Sequence, residues 1–182
     1  MKYLDLWADV EAISGPSGRF YYRRAVITWS RPKIWNPEDP EFSVPSSWAG
    51  HGGLYAMLRN HWRQAEGRRI AYIGKAISFT NRLNNKHNHF DIVERRGDTE
   101  VSCGRVRFER VKAHAGYYLE LEDVVKFAVW HHSENVQGFS SLPGFRQSQP
   151  RVMLPWVIIN EGYRFGGAMP RRIVYPAIGV EF

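Results

Sequence analysis

The stretch GLYAMLRNHWRQAEGRRIAYIGKAISFTNRL, residues 53–83, decides how this chain is read. Its runs GLYAMLR (53–59) and RRIAYIGK (68–75) are short and strand-like, and the intervening NHWRQAEG (60–67) has the polar, glycine-containing composition of a hairpin loop. The two runs are expected to pair antiparallel. Directly after them, Ser78, Thr80 and Asn81 are residue types that cap helix starts, and Phe79, Leu83 and Phe90 follow at roughly helical spacing. A first helix carrying Arg82 is therefore predicted.

Downstream, EVSCGRVRFERV (100–111) alternates apolar Val101 and Cys103, then Val106 and Phe108, with a change of phase near Gly104. This pattern fits a half-buried strand containing a bulge. Between Gly116 and His132, Leu121, Val124, Val125, Ala128 and Val129 recur at i, i+3, i+4, i+7 and i+8, the strongest periodic signal in the chain. It predicts a second, amphipathic helix. The tail from Pro150 alternates apolar runs about the turn-like GGAMP (166–170), as a final hairpin or extended arm does.

Upstream, RFYYRRAVITW (19–29) is aromatic and β-branched and reads as an edge strand. The proline- and serine-rich segment from Ser30 to Gly53 reads as a long surface connection. The expected organisation is an N-terminal extension (1–51), a core (52–145) and a C-terminal hairpin or arm (146–182).

The chain has 182 residues, enough for one domain with elaborations and a core that needs no disulfide or metal staples. Lys plus Arg total 25 against 18 Asp plus Glu, giving a net charge of +7. With a pI near 9.7 this favours polyanionic partners, nucleic acid first. The single cysteine, Cys103, excludes an internal disulfide framework and a thiolate-rich zinc site. The histidines match no common zinc spacing. The absence of a long apolar run, and an N-terminal segment that carries acids, lead to the expectation of a cytoplasmic protein without membrane spans.

Taken together, Gly53-Leu54-Tyr55, then Tyr72-Ile73-Gly74-Lys75, then Arg82, resemble the GIY-YIG nuclease family over about residues 52–135. The first motif reads GLY instead of GIY, and the spacing between the motifs is longer than the family's commonest form. The resemblance implies an α+β fold: a small antiparallel three-stranded sheet flanked by helices, here with N- and C-terminal β and loop extensions.

The implied activity is metal-dependent hydrolysis of DNA phosphodiester bonds, in a compact, restriction-like enzyme that works as a homodimer or, for nicking, as a monomer. Phosphodiester hydrolysis needs an activated water, neutralisation of the phosphorane charge and help for the leaving oxygen. Tyr55 is the implied base, its phenol made acidic by neighbouring cations. Arg82 neutralises phosphate charge through its planar fork, with Tyr72, Lys75 and His87 assisting. Relatives hold one divalent ion, Mg²⁺ or Mn²⁺, on a helical glutamate. Glu122 is the first candidate on the second helix, with Glu120 and Asp123 as alternatives; a register set by Asn135 favours Asp123.

Lys75, Lys86, Arg68, Arg69, Arg23 and Arg24 are the candidate nucleic-acid contacts, for DNA or alternatively RNA. Two other readings stay open: a catalytically inactive nucleic-acid-binding module on the same scaffold, and an interaction protein whose tryptophans bury into a partner.

Overall fold

The computed structural model describes residues 22–59, 69–87, 99–109, 111–132, 150–152, 154–175 and 179–181. Eight strands form one mixed, curled sheet: β1 (Arg23–Trp29), β2 (Lys33–Ile34), β3 (Gly53–Arg59), β4 (Arg69–Ala76), β5 (Thr99–Glu109), β6 (Trp156–Gly162), β7 (Arg172–Tyr175) and β8 (Gly179–Glu181). Their order is β4-β3-β5-β1-β6-β7-β8, with β2 paired beside β5. Among the described residues three α-helices accompany them: α1 (Pro40–Ser43), α2 (Phe79–Arg82) and α3 (Ala115–His132).

This architecture overturns the expected small three-stranded sheet flanked by helices. The antiparallel run β4-β3-β5 continues without a break into β1 and then the C-terminal strands. The reason lies in β1. It pairs antiparallel with β5 and parallel with β6, from Arg23 opposite Trp156 to Trp29 opposite Gly162. With both edges taken, the predicted edge strand is an interior one. Its sequence is consistent with that place, because Ala25, Ile27 and Trp29 are buried on one face and Val26 on the other. The Trp29 indole donates to Asn160 Oδ1 at 2.9 Å, and Asn160 Nδ2 donates to the Pro170 carbonyl at 2.8 Å, tying the tail to the strand.

The core has two parts, one on each face of the sheet. On one face Leu54, Ala56, Leu58 and Ile73 pack with Ile27, Trp156 and Ile158 under the predicted stripe of α3, Leu121, Val124, Val125, Ala128 and Val129. On the other face Tyr55, Met57, Tyr72, Val101 and Cys103 pack with Phe79, Leu83, Trp35 and Val44. The proline-rich connection therefore covers a core instead of running over the surface alone. Because strand side chains alternate, neighbours in β3 and β4 serve different clusters.

β3 and β4 pair antiparallel as the sequence predicts, with the register shift between Met57 and Leu58. Since Met57 pairs with Tyr72 and Leu58 with Ile70, the extra residue is Ala71. No bulge occurs at Gly104: β5 keeps one register against both β3 and β1 there. The change of apolar phase has another cause. Val101 and Cys103 pack in the cluster of Tyr55, whereas Val106 and Phe108, on the opposite face, pack against the α3 core.

Candidate active site

The β3–β4 pairing sets Tyr55 directly opposite Gly74, with Tyr72 two residues along the same face. The phenol rings lie 5.9 Å apart between centroids. Glycine is required at position 74, because a Cβ there would lie 2.4 Å from both Cζ and Oη of Tyr55 and 2.7 Å from Cε1 of Tyr72. The third residue of the YIG motif is thus the floor on which both rings rest.

The single turn α2 and the residues after it bring in Arg82 and His87. Buried Phe79 and Leu83 anchor this segment. Successive backbone bonds, Leu83 N to Phe79 O at 2.8 Å and His87 N to Asn84 O at 3.1 Å, fold it back over the sheet. The Trp35 indole donates to the Leu83 carbonyl at 3.2 Å and stands edge-on to the His87 ring. His87 is consequently buried among Trp35, Tyr55 and Tyr72, and its Nε2 lies 2.5 Å from Tyr55 Oη.

The Arg82 guanidinium interacts electrostatically with both phenols. Burial pushes the Tyr55 pKa far above the ordinary phenol value; neighbouring Tyr72 adds to this, and Arg82 opposes it. The expectation of a phenol made acidic by nearby cations is therefore reversed, because desolvation outweighs the guanidinium. Tyr55 stays protonated at neutral pH, and it acts on water only if it can pass its own proton on. His87 is the group within reach. For Arg82, burial disfavours the charge but the two phenols outweigh it, so its pKa is raised and it is a fixed cation.

Beside this cluster opens a cavity of about 540 Å³ whose lining includes Lys75, Ser78, Asn81, Arg82, Tyr118 and Glu122. Lys75 pairs opposite Leu54, so it belongs to the α3 face and reaches the cavity without facing Tyr55. Of the three candidate carboxylates only Glu122 lines the cavity. Glu120 is held elsewhere: it accepts from Arg23 at 2.7 Å and from the Trp156 indole at 2.8 Å. Asp123, half-buried on α3, is not among the lining residues.

Sequence reading missed Lys126. One turn beyond Glu122, it donates to Glu122 Oε1 at 2.6 Å in a buried pair, and its ammonium lies 5.4 Å from the centroid of the Tyr72 ring. The Glu-to-Lys spacing of four residues was the available signal. Among the described residues no group of three or more His, Cys, Asp or Glu could hold a metal. Glu122 alone suits an ion of the Mg²⁺ kind, which takes one carboxylate and completes its shell with water and phosphate oxygens. Lys126 already holds one of its oxygens, so such an ion must share or displace the ammonium.

The basic candidates divide. Lys86 is exposed just after α2. Arg23 is buried between the Tyr117 and Trp156 rings, 4.7 and 4.5 Å from their centroids, and bonded to Glu120. Arg24 pairs with Glu109 at 2.9 Å. Arg68, the Arg69 side chain, Phe90 and Asn135 lie outside the described residues, as does the 60–67 loop.

No family model matches this chain, and no curated protein or solved structure does either. No helix among the described residues is long and apolar enough to cross a membrane.

Proposed function

We propose that this cluster is the active site of a metal-dependent endonuclease that hydrolyses DNA phosphodiester bonds, as the resemblance to GIY-YIG nucleases implies. The observation that carries the reading is the meeting at one phenol, Tyr55, of an imidazole nitrogen, His87 Nε2, and a cation, Arg82, beside a cavity containing Glu122. Strand pairing alone would bring two tyrosines together. It does not account for a buried histidine and a guanidinium converging on the same hydroxyl.

In this reading the scissile phosphate enters the cavity and Arg82 presents its donor fork to two non-bridging oxygens. A water attacks phosphorus and gives its proton to the Tyr55 oxygen as Tyr55 gives its own to His87 Nε2, while the bridging P–O bond opposite the attacking water breaks and the departing alkoxide takes up a proton from solvent. The phenol carries a proton without ever standing as a free phenolate, which its burial would penalise. Tyr72 adds to the electrostatic hold on Arg82, and Lys75 adds positive charge to the cavity wall. A Mg²⁺ or Mn²⁺ ion held through Glu122 would supply Lewis-acid stabilisation of the phosphorane. Two such sites in a C2 dimer would cut both strands.

The Lys126–Glu122 pair favours a second reading. If the ammonium permanently fills the place of the ion, the chain is a nucleic-acid-binding module without catalysis. Supercoiled plasmid separates the two. The nuclease reading expects Mg²⁺-dependent nicked or linear product, abolished by chelator, by Arg82→Ala and by Glu122→Ala. Binding without product in any metal would establish the module instead.

A further inference from the structure

A second cavity, of about 450 Å³, lies against the first, with Trp48, His51, Arg105, Arg107 and Tyr118 on its walls. Tyr118 lines both cavities. Gly52 of the second abuts Ile77 of the first so closely that a Cβ at position 52 would lie 2.7 Å from the Ile77 carbonyl oxygen. The His51 carbonyl also accepts the Phe79 N–H at 3.1 Å, the amide that opens the helical turn carrying Arg82.

The chemistry of the second cavity is one-sided. None of its lining residues is acidic. Arg107 is bonded to Glu109 at 2.9 Å, but Arg105 is exposed and has no carboxylate partner among the described residues. Arg105 stands opposite Gly53 and Thr28 in the ladders, where neither neighbour brings charge. A guanidinium without a carboxylate partner among the described residues, a histidine and two aromatic rings in one concavity suit a phosphate with its attached nucleoside better than a peptide or an apolar ligand.

We infer that this cavity binds the phosphate that flanks the scissile one on the same DNA strand, with Arg105 as its cation and Trp48 and Tyr118 as the surfaces against which the adjoining nucleoside rests. Placing the strand this way rests on the nuclease reading. The grip of Arg105 is a binding property that can be measured without cutting.

The test is fluorescence anisotropy of a labelled mixed-sequence duplex, with chelator present to prevent hydrolysis, over a series of salt concentrations. Arg105→Ala should weaken binding about tenfold and reduce the slope of log affinity against log salt by about one. Arg105→Lys should keep the slope, and Arg171→Ala, which removes an exposed cation that lines neither cavity, should leave both quantities unchanged. Unchanged slope in Arg105→Ala, or an equal fall in Arg171→Ala, overturns the inference while leaving the nuclease reading intact. Absence of any salt-sensitive binding by the wild type overturns both. The expected slopes from a protein that never cuts would uphold the phosphate site and remove the nuclease.

Discussion

Replacing Gly74 by Ala tests the geometry of the two phenols with a single methyl group. Carbon atoms sit comfortably at about 3.5–4.0 Å, whereas the added Cβ would lie 2.4 Å from the Tyr55 Cζ and Oη and 2.7 Å from the Tyr72 ring. Both rings must therefore retreat, Tyr55 by about 1 Å. Because it is fully buried in the cluster of Met57, Phe79 and Leu83, that retreat must push into packed neighbours. Overpacking of this kind costs about 1–3 kcal/mol, which a domain stable by roughly 5–15 kcal/mol tolerates. The functional loss should be larger. A shift of that size breaks the 2.5 Å contact of Tyr55 with His87, and misplacement by about 1 Å costs on the order of 100-fold in rate. Urea denaturation and initial rates of plasmid nicking, compared at equal folded fraction, measure the two effects separately. Gly50→Ala, where an added Cβ meets nothing within 4 Å, is the control and should change neither. A folded Gly74→Ala protein that cuts at the wild-type rate would refute the role given to the tyrosine pair.

Removing the ammonium beside Glu122, as Lys126→Met, should destabilise the apo protein by roughly 3–5 kcal/mol through an uncompensated buried carboxylate, and added Mn²⁺ should restore much of that loss in thermal melts. Calorimetric titration should likewise find tighter Mn²⁺ binding in the variant than in the wild type; equal affinities would mean that Glu122 is not the metal ligand. Arg23→Ala should lose about 3–5 kcal/mol in urea denaturation because it removes the cation paired with Glu120 and leaves that carboxylate the Trp156 indole alone among the described donors, while leaving the salt slope of DNA binding unchanged. Above pH 10 the unfolded chain loses tyrosine protons that native Tyr55 retains, so the native state binds more protons and stability must fall as pH rises. Tyr55→Phe should lessen that fall by at most about 1.4 kcal/mol per pH unit, read from denaturation curves between pH 9 and 11; identical slopes would contradict the assigned burial.

What could be read from the sequence was what local pattern encodes. The stripe from Leu121 to Val129 specifies α3, and the two apolar runs about residues 60–67 specify the β3–β4 pairing, because side-chain periods of 3.6 and 2 follow from backbone geometry alone. The extent of the sheet was hidden because it depends on β1 meeting β6, which joins Arg23 to Trp156 across most of the chain. Burial on both faces also disguised β5, where a change of partner cluster at Gly104 imitates a bulge. At the candidate site, Tyr55, Tyr72 and Arg82 were singled out through their motif, and the structure places them close to one another and to His87. The sign of the Tyr55 shift was misread because charge order is visible in a sequence and depth is not. Lys126 escaped attention for a similar reason: an i, i+4 pair on a helix reads as a solvated face until packing buries it.

The most direct test of the central claim, that Tyr55 with His87 and Arg82 hydrolyses DNA, uses unmodified phage genomic DNA, which is long enough to present nearly every short sequence. Wild type and Tyr55→Phe are incubated with it in Mg²⁺, and the products are followed by denaturing electrophoresis. The account predicts discrete or progressive cutting by the wild type and at least a 100-fold slower reaction in Tyr55→Phe, which removes the hydroxyl without disturbing the fold. Wild-type protein that leaves the DNA intact, or a Tyr55→Phe protein that cuts as fast, would contradict it.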